Sequence, residues 1–307
     1  LAGSQDFAPD PRNADTLIYL NGAMVPREDA KISVFDAGFG LGDGIWEGLR
    51  LHHGALLFLD LHLDRLARGA AAIGLKGAPN RDALVAALTQ TLHANRMTDG
   101  AHLRLMVTRG LKTSVNQDPR NALGAPTVVI TAEYKAPPAA PAQGLHLHTS
   151  TIRCSPATMF DMRLNSHSRL NLITALLEAI EAGADEALML DQHGFVSSCN
   201  ATNVFFVRGG QVFTSTGAAC FNGITRGNVI DLCVTDGIPI RLADFTLDAA
   251  HEADEAFVTG TLGGITPVRQ IDGKILPHCP GPITKHLAGL YAGLKNAYAE
   301  RHAIVTP

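Results

Sequence analysis

KAPPAAPAQG, residues 135–144, carries three prolines and no hydrophobic period. Proline lacks an amide hydrogen and fixes its own φ, so neither a helix nor a central strand runs through such a stretch. The tract reads as a linker, and the chain on either side of it must bury a core of its own. A length of 307 residues suits two medium domains. The expected division is a flexible arm over 1–16, a small domain over 17–134, the linker over 135–144 and a larger domain over 145–307.

The small domain reads as α+β with antiparallel hairpins. TLIYLNGAMV has the form strand, Asn21-Gly22 turn, strand. GIWEGLRLHHGALLFL reads as a second hairpin. Asp60 is placed to cap the helix LHLDRLARGAAAIGL, whose Leu61, Leu63, Leu66 and Ala70 fall near one face. Asn80 is placed to cap a second helix, and HLRLMVTRG and TVVITAEY are strands rich in β-branched residues. Beyond the linker the strands are short and bounded by turns: LHLHTSTI, EALMLD, FVSSCNATNVFFV, QVFTST and EAFVTGT. The helices among them are RLNLITALLEAIEAG and TRGNVIDLCVTDG.

Composition excludes several function classes. Net charge is −4 and there is no basic stripe, which argues against a nucleic-acid surface. No apolar run reaches the length of a membrane span. The opening LAGSQDFAPDPRNADT is polar, unlike a signal or transit peptide, and a start without Met suggests a trimmed or tagged terminus. Five cysteines with no C-x-x-C pair read as reduced thiols of a cytoplasmic protein. Two histidine groupings invite a metal reading, His52–His53 and the pair His146 and His148. Neither has a carboxylate or Cys at ligand spacing, so no metal site is expected.

Six segments, FDAGFGLGDGIWEGLR, FLDLHLDRL, HLRLMVTRG, GFVSSCNATNVFF, FNGITRGNVI and FVTGTLGGITPVRQIDG, together resemble the class IV, fold-type IV pyridoxal-phosphate aminotransferases. That family includes branched-chain and D-amino-acid aminotransferases and aminodeoxychorismate lyase. The resemblance runs from Leu17 to Gly273. It implies an α+β fold of two domains with the ligand pocket between them, and a homodimer whose partner contributes to the pocket. It also implies a phosphate cup formed by Arg65, by Gly223, Ile224 and Thr225 at a helix N-terminus, and by Thr261. The physics of the segment agrees: a glycine allows close approach, helix N-termini favour anions, and arginine offers a forked donor.

The same resemblance locates what is missing. The family holds its cofactor as an imine on a lysine thirteen residues before the Glu of a Glu-Ala pair. Counting back from Glu178 reaches Asn165, and an amide has no basic lone pair with which to form an imine. The family's glutamate behind the pyridine nitrogen corresponds to Ser198, a neutral hydroxyl that holds no proton on the ring. Of the seven lysines, Lys112 alone lies on a loop expected near the cleft, and its simpler reading is a solvated loop residue.

Candidate reactive groups are then Asn165 itself, His167, which would share a strand face with it, and Cys199. Trp46, His102, Arg104 and Arg109 are the candidates for contact with substrate. Asp36, Asp43 and Glu47 read as framework residues. The expected function is an enzyme of lyase, hydrolase or isomerase type on a small carboxylated or phosphorylated metabolite. No cofactor is expected to be covalently bound; the pocket leaves open non-covalent binding of pyridoxal phosphate or another phosphate-bearing ligand. The alternatives are a conventional branched-chain or D-amino-acid aminotransferase and a non-catalytic ligand-binding homologue.

Overall fold

The computed structural model describes residues 7–136 and 144–305. The core of the expected linker and the first part of the expected arm lie outside the described residues. The chain forms two compact units. The first is made of 8–136, 164–168 and 295–305, the second chiefly of 144–163 and 169–294.

In the first unit, β1 (Leu17–Leu20) and β2 (Ala23–Pro26) form the expected hairpin. Asn21 and Gly22 both take positive φ, as the favoured two-residue hairpin turn requires. There follow α1 (Ala37–Leu41), β3 (Gly44–His52), β4 (Ala55–Leu56), α2 (Leu59–Ala72), α3 (Arg81–Ala94), β5 (Ala101–Thr108) and β6 (Thr127–Tyr134). The six strands form one antiparallel sheet in the order β2-β1-β6-β5-β3-β4. One face packs Ile45, Leu49, Leu51, Leu103, Leu105 and Ile130 against Leu63, Leu66, Leu88 and Leu92 of α2 and α3.

Two details of α2 depart from expectation. Its N-cap is Phe58, in the left-handed conformation, and Asp60 lies inside the first turn, where it pairs with Arg81 at 2.6 Å. The buried stripe runs through Leu59, His62, Leu63, Leu66 and Ala70, while Leu61 is 47% exposed. Successive helical residues turn by about 100°, which sets Leu61 on the side opposite Leu63 and Ala70, so the expected shared face does not include it. Asn80 does cap α3, its side chain accepting from the Ala83 amide at 2.9 Å.

The second unit contains β7 (Leu145–Thr149), α4 (Leu170–Glu181), β8 (Glu186–Leu190), β9 (Val196–Cys199), β10 (Asn203–Arg208), β11 (Gln211–Thr214), α5 (Ile224–Thr235), β12 (Ile240–Leu242), α6 (Leu247–His251), β13 (Glu255–Gly260), β14 (Gly264–Ile271) and β15 (Lys274–Ile275). FVSSCNATNVFFV is therefore two strands, β9 and β10. A mixed sheet runs β12-β11-β10-β13-β14-β7-β8-β9, with β15 beside β14. Helix α7 (Pro282–His302) follows; its residues to 294 belong to this unit and those from 295 to the first. Its start is capped from a distance: Glu255, buried on β13, accepts from the amides of Ile283 and Thr284 at 3.1 and 2.8 Å. No helix among the described residues is long and apolar enough to cross a membrane. The fold is thus mixed α and β.

Candidate active site

Each unit carries one part of the predicted set. In the first unit, segment 164–168 lies antiparallel to the start of β3, bridged at Ile45 and Ser166. Trp46 is held twice by it: its amide donates to the Asn165 carbonyl at 2.9 Å and its indole N–H to the Ser166 carbonyl at 3.1 Å. The Asn165 side chain is buried and donates through Nδ2 to the Trp46 carbonyl. His167 donates its amide to the Gly44 carbonyl at 2.9 Å, and its Nε2 sits 3.2 Å from the Ile45 carbonyl. A carbonyl oxygen only accepts, so Nε2 carries the proton in that contact.

The sheet face away from the core gathers three of the substrate candidates. Arg104 lies over the Trp46 ring at 3.9 Å, a cation–π contact. The His102 ring packs on Gly48, where an added Cβ would lie 3.2 Å from Nε2. Burial, reinforced by Lys135, Arg50 and Arg104, pushes the His102 pKa down to about 3, so the ring is neutral at physiological pH. Arg109 is committed elsewhere: Nε and Nη2 reach Asp43 at 2.6 and 3.0 Å, and Nη2 and Nη1 reach the Ile73 and Gly74 carbonyls. All three guanidinium nitrogens are engaged, which suits a framework bond better than a grip on substrate.

Arg65 belongs to a buried ionic cluster. Glu47 on β3, fully buried, accepts from Arg65 Nε at 2.8 Å, Arg65 Nη2 at 2.5 Å and His62 Nδ1 at 2.7 Å. Burial alone would raise the Glu47 carboxyl, but the bonds from Arg65 and His62 overcome it and hold the pKa low. Burial pushes His62 down as well, against the pull of Glu47. Lys112 overturns its expected reading. It is only 4% exposed, and Nζ donates to the Asn116 carbonyl, clasping its own loop.

In the second unit, Ser198 on β9 and Gly223 before α5 are joined by a residue that motif reading passed over. Asn203, at the start of β10, donates to the Phe221 carbonyl at 2.7 Å and lies 3.3 Å from the Ser198 hydroxyl. Its Oδ1 accepts the Gly223 amide at 3.0 Å. The Ser198 hydroxyl donates to the Thr202 carbonyl at 2.8 Å. Gly223 is the N-cap of α5 with an ordinary negative φ and no side-chain cap. Glycine is required there because a Cβ would sit 2.6 Å from Asn203 Oδ1.

Ile224 and Thr225 open α5, and the Thr225 hydroxyl lies 3.4 Å from that of Tyr291. Arg226, also buried, donates to the Ser215 carbonyl at 2.7 Å and to Asn222 Oδ1 at 3.2 Å. Arg226 Nε and Thr259 Oγ1 are buried and have no hydrogen-bond partner among the described residues. Thr261 opens the turn between β13 and β14. Cys199 is sealed in the core. Burial, with Glu186 alongside, pushes its thiol well above the usual range, which leaves it protonated and unreactive. Among the described residues no group of three or more His, Cys, Asp or Glu could hold a metal ion.

A family model described as amino-transferase class IV matches residues 44–271. The chain is 38% identical to branched-chain-amino-acid aminotransferase-like protein 2 of Arabidopsis thaliana, over 93% of this chain and 51% of that protein. It therefore spans about half the length of that relative, as it does of like protein 1, of which it covers 52%. It is 35% identical to a putative branched-chain-amino-acid aminotransferase of Methanocaldococcus jannaschii, over 92% of this chain and 97% of that protein. Among solved structures, a branched-chain amino acid aminotransferase of T.th. complexed with N-(5'-phosphopyridoxyl)-L-glutamate matches with a TM-score of 0.85 and 29% identity, covering 94% and 95% of the two chains.

Proposed function

Because the chain belongs to the class IV aminotransferase family, we propose that it is a divergent member that works without covalently attached pyridoxal phosphate. Its substrate is a small carboxylated or phosphorylated metabolite, and its reaction is of lyase, hydrolase or isomerase type. The observation that carries this reading is Asn165. We read it as standing at the position of the family's lysine, and its side chain is an amide already bonded to the Trp46 carbonyl.

Tested against pyridoxal phosphate, the residues present fit one end only. A phosphate suits the open first turn of α5, where the amides of Ile224, Thr225 and Arg226 have no capping side chain. The aldehyde end finds an amide at 165, and the ring nitrogen finds the Ser198 hydroxyl, whose one proton goes to Thr202. A phosphate-bearing ligand would thus be held non-covalently. Arg104 over Trp46, beside neutral His102, supports recognition of a carboxylate. His167, beside Asn165 on the same segment, remains the candidate base, while sealed Cys199 gives little support to a nucleophile.

A homodimer is part of the same reading. On α4, Leu170, Ile173, Leu177 and Ile180 recur at helical spacing and are exposed. The first unit exposes Val34, Phe35, Phe39, Leu111 and Val115. A second copy would bury such apolar surface.

A conventional pyridoxal-phosphate enzyme of branched-chain aminotransferase type is the second reading, favoured by the solved relative bound to a phosphopyridoxyl-glutamate. One experiment separates the two: visible spectra with and without pyridoxal phosphate, then borohydride reduction and peptide mapping. The natural chain is expected to give no lysine adduct, and Asn165→Lys with Ser198→Glu to give one at position 165. A reduced adduct on any lysine of the natural chain, the buried Lys112 above all, would overturn the first reading.

A further inference from the structure

We propose that Asn203 is a positioning residue that sets the geometry of the anion site at the start of α5; the inference rests on the reading of that helix start as an anion site. A helix N-terminus binds an anion well only if its amides are uncapped and its entry is fixed. Here the entry has no cap of its own, since Gly223 carries no side chain. Asn203 replaces the local cap from another strand. It takes the Gly223 amide at 3.0 Å and returns a proton to the Phe221 carbonyl at 2.7 Å, so both sides of the turn are tied to β10.

The Gly223 amide is therefore occupied, and the amides of Ile224, Thr225 and Arg226 are the ones presented to a ligand. The amide group of Asn203 also reaches the Ser198 hydroxyl at 3.3 Å. One buried side chain thus sets the spacing between the helix start and Ser198 on β9. The fit is tight from both directions, because any side chain at 223 collides with Asn203 Oδ1. Asn203 and Gly223 form a matched pair, and disturbing either moves the same turn.

The test is a double-mutant cycle read by inorganic-phosphate affinity, with thermal stability recorded in parallel. Asn203→Ala and Gly223→Ala should each weaken phosphate binding by about tenfold or more, the usual scale for loss of a supporting residue behind a binding group. The double variant should bind no more weakly than the worse single, because the clash and the bond it displaces are one contact. Single variants that lose stability but keep the wild-type phosphate affinity overturn the role of Asn203 and leave the anion site standing. Independent losses that multiply in the double variant also overturn it. A wild-type protein that binds no phosphate overturns the anion site itself, and the positioning role with it.

Should Asn203→Ala not fold, phosphate titration of the ¹⁵N-labelled wild type decides. The amides of Ile224, Thr225 and Arg226 should shift strongly and that of Gly223, already bonded to Asn203, the least. A Gly223 shift as large as its neighbours' refutes the proposal.

Discussion

Replacing Glu47 by glutamine tests the buried cluster of the first unit. The carboxylate is fully buried and receives three hydrogen bonds, two from Arg65 and one from His62. Glutamine keeps the shape but removes the charge and turns an NH₂ toward one of the donors. The Arg65 guanidinium then loses the Glu47 charge, and removing one partner of a buried pair costs about 3–5 kcal/mol. With a urea slope of about 2 kcal/mol per molar, the unfolding midpoint should fall by about 2 M. The assay has a built-in reporter, since Trp46, the only tryptophan, sits next to Glu47 on β3. Acid should weaken the wild type by two routes. Glu47 has a depressed native pKa, so its contribution is complete above the ordinary carboxyl value of 4.5 and is lost as pH falls through the native one. His62 is also depressed, so below its ordinary 6.5 the unfolded chain takes a proton that the folded chain refuses. Glu47→Gln should flatten the first of these. A midpoint shift below about 0.3 M, with an unchanged slope, would refute the claim that this cluster depends on the Glu47 charge.

Other consequences can be checked more quickly. The His102 ring should show no titration between pH 5 and 8 by NMR, because its pKa lies near 3. Cys199 should resist alkylation in the native protein and react only after unfolding, with its thiol pushed up by burial. Gly281→Ala should destabilise by at least about 1–3 kcal/mol in denaturant unfolding, as for an overpacked core. A Cβ there would overlap the Glu255 side chain that caps α7.

What could be read in advance followed a pattern. Asn21-Gly22 and Asn80 announce themselves because a turn and a cap are chosen by neighbouring residues, and both stand where expected. Asp60 failed as a cap because Phe58 takes a left-handed conformation, which no local pattern advertises for a phenylalanine. Helix α7 gave little signal: Gly289 and Gly293 are poor helix formers within it, and its start is capped by Glu255 from β13. Of the candidate site, Trp46, His102 and Arg104 were nominated through the family resemblance, and the pairing of β3 with β5 puts them on one face of the sheet. Asn203 was not, since an asparagine opening a strand has no spacing that reveals whether it serves the ladder or a distant turn. Lys112 was misjudged for a related reason: its burial depends on the loop closing over it.

The first unit is not contiguous, and this affects how it can be made. Its β3 is completed by segment 164–168, and its hairpin at Gly54 bonds to Ile304 and Val305. On a ribosome, residues 8–136 are thus exposed long before their last partners are synthesised, a wait on the order of ten seconds at typical elongation rates. A gene cut after residue 136 would yield a sheet lacking the piece that bonds to Trp46.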